Sequence, residues 1–114
     1  MTFLQAVARQ EGFYVIGTRP ERNNNPGDIE FGQFAKAHGA THGDPRFAIF
    51  PDVPTGFAAM RSLFQAPAYK GHTVSEALNT WAPPIENATN IYIEHVCEWV
   101  ECQPTDIIDD LVVL

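Results

Sequence analysis

ARQEGFYVIGTRPERNNNPGDIEFG, residues 8–32, contains the change of pattern on which the fold turns. Up to Glu11 the apolar residues Phe3, Leu4, Val7 and Ala8 recur at helical spacing. Thr2 followed by Gln5 is a capping-box pattern, and Gly12 supplies a stop. A helix is therefore expected from Thr2 to about Glu11. From residue 13 to residue 46 the chain is dense in glycine, proline and asparagine, too much turn chemistry for long helices. Short extended pieces are expected at Phe13–Ile16, Ile29–Phe34 and Phe47–Phe50, together a loop-rich β-lobe.

Beyond this lobe the helical period returns. TGFAAMRSLFQAPAY places Phe57, Met60, Leu63 and Phe64 on one face, with Thr55 as the expected cap and Pro67 as the stop. TVSEALNTW pairs Thr73 with Glu76 in a second capping box. A further helix is expected from near Ala88 to about Glu101, and a short terminal one over Pro104–Leu114. The order of helix, small β-lobe and several helices defines an α+β architecture, expected as one domain over residues 1–114.

Fourteen acidic residues against seven basic ones give a net charge of −7. A face built to grip phosphates is basic, so nucleic acid and anionic membrane surfaces are poor partners, whereas uncharged or cationic ligands, sugars among them, remain open. No apolar run reaches bilayer-spanning length, so no membrane insertion is expected. MTFLQAVARQEGF lacks the leader of a secretory signal, which points to synthesis in the cytoplasm. Cys97 and Cys102 flank a predicted helix end where disulfide geometry is awkward, and they read as reduced thiols. His38, His42, His72 and His95 lack metal-ligand spacing, so neither a metal nor a cofactor is expected.

Glu11 falls seven residues after Leu4 and four after Val7, on the apolar face of the first helix. A carboxylate on a buried stripe is costly to ionise, so its pKa should rise. An acid with a raised pKa at a lobe boundary suits protonation of a glycosidic oxygen. The plainer alternative is a solvated residue at a fraying helix end. RNNNPGDIEFG then offers side-chain amides, a Pro26-Gly27 turn and the carboxylates Asp28 and Glu30. Amides and aromatics recognise sugar hydroxyls and sugar faces, which makes Tyr14, Asn24, Asn25, Asp28, Glu30 and Phe31 candidate substrate contacts. A purely structural asparagine turn is the other reading.

Three segments together resemble the small lysozyme-like proteins of phages and prophages: ARQEGFYVIGTRPERNNNPGDIEFGQFA, RFAIFPDVPTGFAAMRSLF and HTVSEALNTWAPPIENATNIYIEHV. That group comprises endolysins, virion lytic transglycosylases and muramidases, and the resemblance covers residues 5 to about 100. It implies a lysozyme-like fold and cleavage of the β-1,4 bond between N-acetylmuramic acid and N-acetylglucosamine in peptidoglycan. By that resemblance Glu11 matches the catalytic acid/base and Tyr92 matches a tyrosine lying near it. Asn24 and Asn25 match the amide-rich wall of the cleft. Asp28 departs from the pattern, standing where the group usually has asparagine. Tyr92 also reads on its own as a core aromatic facing Val96 and Trp99.

Two mechanisms remain open on the sequence. A hydrolase needs a second carboxylate, for which Asp28, Glu30, Asp44 and Asp52 are candidates. A lytic transglycosylase uses the muramic acid's own 6-hydroxyl and one glutamate, and the resemblance tilts the reading that way. A non-catalytic glycan-binding or virion structural protein on the same scaffold is the alternative from a different class. The enzyme reading implies a monomer that reaches the wall through a holin, a virion or a secretion apparatus.

Overall fold

In the computed structural model, which describes residues 1–114, Thr2 and Gln5 close the expected capping box. Thr2 Oγ1 accepts from Gln5 N at 3.1 Å, and Gln5 Oε1 accepts from Thr2 N at 3.0 Å. Helix α1 then runs over Phe3–Glu11. Its end is a Schellman turn: Gly12 donates to Arg9 O at 3.1 Å and Phe13 to Ala8 O at 3.0 Å, with Gly12 at φ 91°. Glu11 is thus the last helical residue, immediately before a left-handed glycine. The architecture is α+β, with six helices and one two-stranded antiparallel sheet. No helix is long and apolar enough to cross a membrane.

The chain divides into two units, Met1–Ala6 with Leu63–Leu114, and Val7–Ser62, with boundaries inside α1 and α4. In the Val7–Ser62 unit, the expected strand at Phe13–Ile16 is instead a series of turns. Thr18 Oγ1 ties them down by donating to Gly12 O and Val15 O. Two short helices follow that turn-rich composition hid, α2 (Arg19–Arg22) and α3 (Gln33–Ala37). The expected extended piece at Ile29–Phe34 is shorter than predicted because Gln33 already begins α3. Only Glu30 bridges to Phe47. Strands β1 (His42–Asp44) and β2 (Phe47–Ile49) pair in register Gly43 to Ala48, with Pro45 and Arg46 in the turn.

Asn25 holds this lobe together. Its side chain is 0% exposed, its Nδ2 donates to Ile29 O and Ala48 O, both at 2.9 Å, and its Oδ1 accepts from Ile29 N at 2.9 Å. A buried amide with these bonds made is satisfied without water. Helix α4 (Val53–Phe64) begins three residues earlier than expected. Its cap is Asp52, whose Oδ1 accepts from Thr55 N at 2.8 Å, rather than Thr55 itself. Pro54 sits in the first turn, where its missing N–H costs nothing. Gly56 makes the approach of α4 to the asparagine run possible, since a Cβ there would stand 2.0 Å from Asn24 O.

In the other unit, the predicted capping box of α5 (Val74–Trp81) forms in full between Thr73 and Glu76. These bonds hold the Glu76 carboxyl below the usual range. Helix α6 spans Thr89–Val100, close to its expected bounds. Phe64 is fully buried, stacked on Trp81 at 4.1 Å and edge-on to Phe3 at 5.1 Å. The expected terminal helix does not form. Residues 104–114 instead lie along the start of α5, where Val74 donates to Asp106 O, Ser75 to Pro104 O and Ile108 to His72 O. Burial of Ile108 and Val112 anchors the segment, so tertiary bonds replace helical ones.

Candidate functional site

The Schellman turn fixes where the chain reverses, and so leaves Glu11 partly buried at the end of α1. Its charge acts on Arg19 of α2. Arg19 forks onto Asp28, with Nε 3.0 Å from Oδ1 and 3.2 Å from Oδ2, and its terminal nitrogen bonds Oδ2 as well. These bonds push the guanidinium above its ordinary pKa, and the charges of Asp28, Glu11 and Asp44 act in the same direction. The guanidinium also lies 3.5 Å from the centre of the Phe47 ring.

Other carboxylates of this unit are engaged in the same manner. Glu30 Oε1 accepts from Arg46 Nε at 2.7 Å, and Arg46 also lies over Phe47, at 5.0 Å. Asp44 pairs with Arg22 at 3.4 Å. Asp52 is spent on the cap of α4, and its bonds with Thr55 hold its carboxyl below the ordinary value. The predicted pair Asp28 and Glu30 therefore stand among arginines on the face of Phe47, an arrangement no sequence spacing announces.

The amides are placed differently from the sequence reading. Asn25, expected on a sugar-facing wall, is an interior staple. Asn24, in the left-handed region at φ 52°, gives its Nδ2 to Phe50 O at 3.1 Å. Asn23, not singled out before, is 2% exposed and its Nδ2 has no acceptor within the chain. Of the aromatics, Tyr14 is half-exposed, edge-on to Phe13 at 5.2 Å, and partial burial pushes its phenol up. Phe31 is partly exposed with the Lys36 ammonium 5.1 Å over its ring. Tyr92 lies on α6 in the other unit and is buried.

Sequence reasoning missed Arg19, Arg46 and Phe47. Nothing in the pattern could have found the arginines, because nine and sixteen residues separate each from its carboxylate. Phe47 was expected only as a strand residue. Compared with known proteins, the chain matches no family model and no curated protein.

Proposed function

We propose that the chain is a peptidoglycan glycosidase on a lysozyme-like scaffold, acting as a lytic transglycosylase with Glu11 as its general acid and base. The observation that carries the choice of mechanism is the engagement of the other candidate carboxylates. Asp28, Glu30 and Asp44 each face an arginine, and Asp52 caps a helix. Each of these carboxylates already accepts from a donor of the chain. A hydrolase built here would have to share one of those carboxylates between its present donor and the attacking water.

In the reaction, Glu11 gives its proton to the glycosidic oxygen as the bond from the muramic acid C1 breaks. The sugar's own 6-hydroxyl attacks C1, and its proton passes to the Glu11 carboxylate. The products are a 1,6-anhydromuramic acid end and a free N-acetylglucosamine hydroxyl, and Glu11 is again protonated. No water is consumed. The half-exposed Tyr14 and the partly exposed Phe31 offer ring faces for sugars, while Asn25 and Asn24 shape the lobe from within. The role of Tyr92 as a positioning residue rests on the resemblance alone.

Purified protein should release soluble muropeptides from cell-wall sacculi, and Glu11→Gln should lower that release by about 10²–10⁴-fold. Mass spectrometry that finds anhydro ends supports the transglycosylase, and reducing ends would replace it with a hydrolase. Sacculus binding with no product from the wild-type chain would overturn the enzymatic reading in favour of a glycan-binding module.

A further inference from the structure

The end of α6 is built like that of α1 but carries different chemistry. Glu101 adopts φ 63°, ψ 48°, and both Glu101 N, at 2.8 Å, and Cys102 N, at 3.1 Å, donate to Cys97 O. This closure brings together the side chains three residues before the helix's last residue and two after it, positions that usually hold an apolar contact. In this chain those two positions are Cys97 and Cys102. Their sulfurs lie 3.8 Å apart, with Cys102 S–H directed at Cys97 Sγ, and both residues are partly exposed. The sequence suggested awkward geometry for a bridge, but the left-handed residue between the cysteines turns the chain back on itself.

We propose that Cys97 and Cys102 form a reversible redox pair, closing to an intrachain disulfide across the end of α6 when the protein meets a low-molecular-weight disulfide. With oxidised glutathione, the Cys97 thiolate attacks one glutathione sulfur, and the glutathione S–S bond breaks. One reduced glutathione leaves and a mixed disulfide stands on Cys97. Cys102 then loses its proton and attacks Cys97 Sγ, expelling the second glutathione. The protein gives up two electrons and two protons, and one oxidised glutathione becomes two reduced ones.

The environment assigns the order of attack. Burial pushes both thiols up, but the hydrogen bond from Cys102 favours the Cys97 thiolate. Cys102 is pushed up to about 12 by burial, by its bond to Cys97 and by the charges of Cys97 and Asp106. Both groups therefore stay protonated dithiols near neutral pH, and closure needs a disulfide reagent in quantity. The inference is independent of what the chain acts on.

The full chain should be equilibrated with reduced and oxidised glutathione at graded ratios, then acid-quenched, alkylated and weighed by mass spectrometry. The expected product is a monomer lacking two hydrogens, with the link mapped to Cys97 and Cys102. Because the fold holds the sulfurs together, its equilibrium constant should be about tenfold or more above that of the same chain unfolded in urea, or about 30 mV more reducing. An equal or smaller constant in the folded chain, or only mixed disulfides and linked dimers, would overturn the proposal.

Discussion

Helices α1 and α6 end in nearly the same backbone reversal, yet one presents a carboxylate and the other a pair of thiols. At α1 the left-handed position is Gly12, and Glu11 is the last helical residue. At α6 the left-handed position is occupied by Glu101, and cysteines flank the turn. Glycine adopts this conformation without cost, whereas a residue with a Cβ is strained by about 1 kcal/mol. The comparison teaches that the same closing hydrogen bond, Phe13 to Ala8 O and Cys102 to Cys97 O, forms with or without a glycine at the left-handed position. The side chains placed around it differ, a carboxylate at one end and two thiols at the other.

The sharpest way to test the first of these two ends is chemical. Glu11→Gln should lower muropeptide release by about 10²–10⁴-fold, the usual worth of a general acid, while urea unfolding stays near wild type. The setting of that end comes next. Asn25→Ala strips partners from Ile29 N, Ile29 O and Ala48 O in the interior, and should cost about 3 kcal/mol in urea unfolding.

Two reciprocal substitutions then separate backbone from side chain. Gly12→Ala should destabilise by about 1 kcal/mol from conformation alone, because a Cβ there meets nothing closer than Thr18 Cγ2 at 3.7 Å. Glu101→Gly should stabilise by about 1 kcal/mol by the same reasoning reversed. If both shifts are absent in paired denaturation curves, the two ends are not equivalent turns.

The smallest effect belongs to the opposite ends of helices, their caps. Asp52 and Glu76 have carboxyl pKa values below their unfolded values, through bonds to Thr55 and Thr73. A depressed pKa contributes stability that is present above the unfolded pKa and lost as pH falls through the folded one. Thermal melts should therefore decline as pH falls below the ordinary carboxylate range, and less so in Asp52→Ala and Glu76→Ala. An unchanged slope in those variants would remove the caps from the account.

Local signals were read well where local physics is sufficient. The boxes at Thr2 and Thr73 and the stop at Gly12 involve residues within one turn of each other, so spacing announced them. The long helices followed from apolar period. The asparagine run shows the converse. Its amides looked like surface ligands because polarity is normally a surface property, but three backbone groups drawn from Ile29 and Ala48 converge on Asn25 and make burial favourable. The tail over residues 104–114 failed as a helix because its hydrogen-bonding partners lie about thirty residues away, in the segment that begins α5.

By itself the sequence determined the α+β class, both capping boxes and the place of Glu11 at the end of the first helix. Those depend on residues in contact through the local chain, where 3.6-residue periodicity and the conformational freedom of glycine act directly. Tertiary structure alone decided that Arg19 and Arg46 neutralise Asp28 and Glu30, that Asn25 turns inward, and that the left-handed turn at Glu101 brings two thiols to 3.8 Å. The arginine pairs and the bond from Asn25 to Ala48 O join residues distant in sequence. The thiol contact depends on a strained φ at a non-glycine residue, which no propensity predicts.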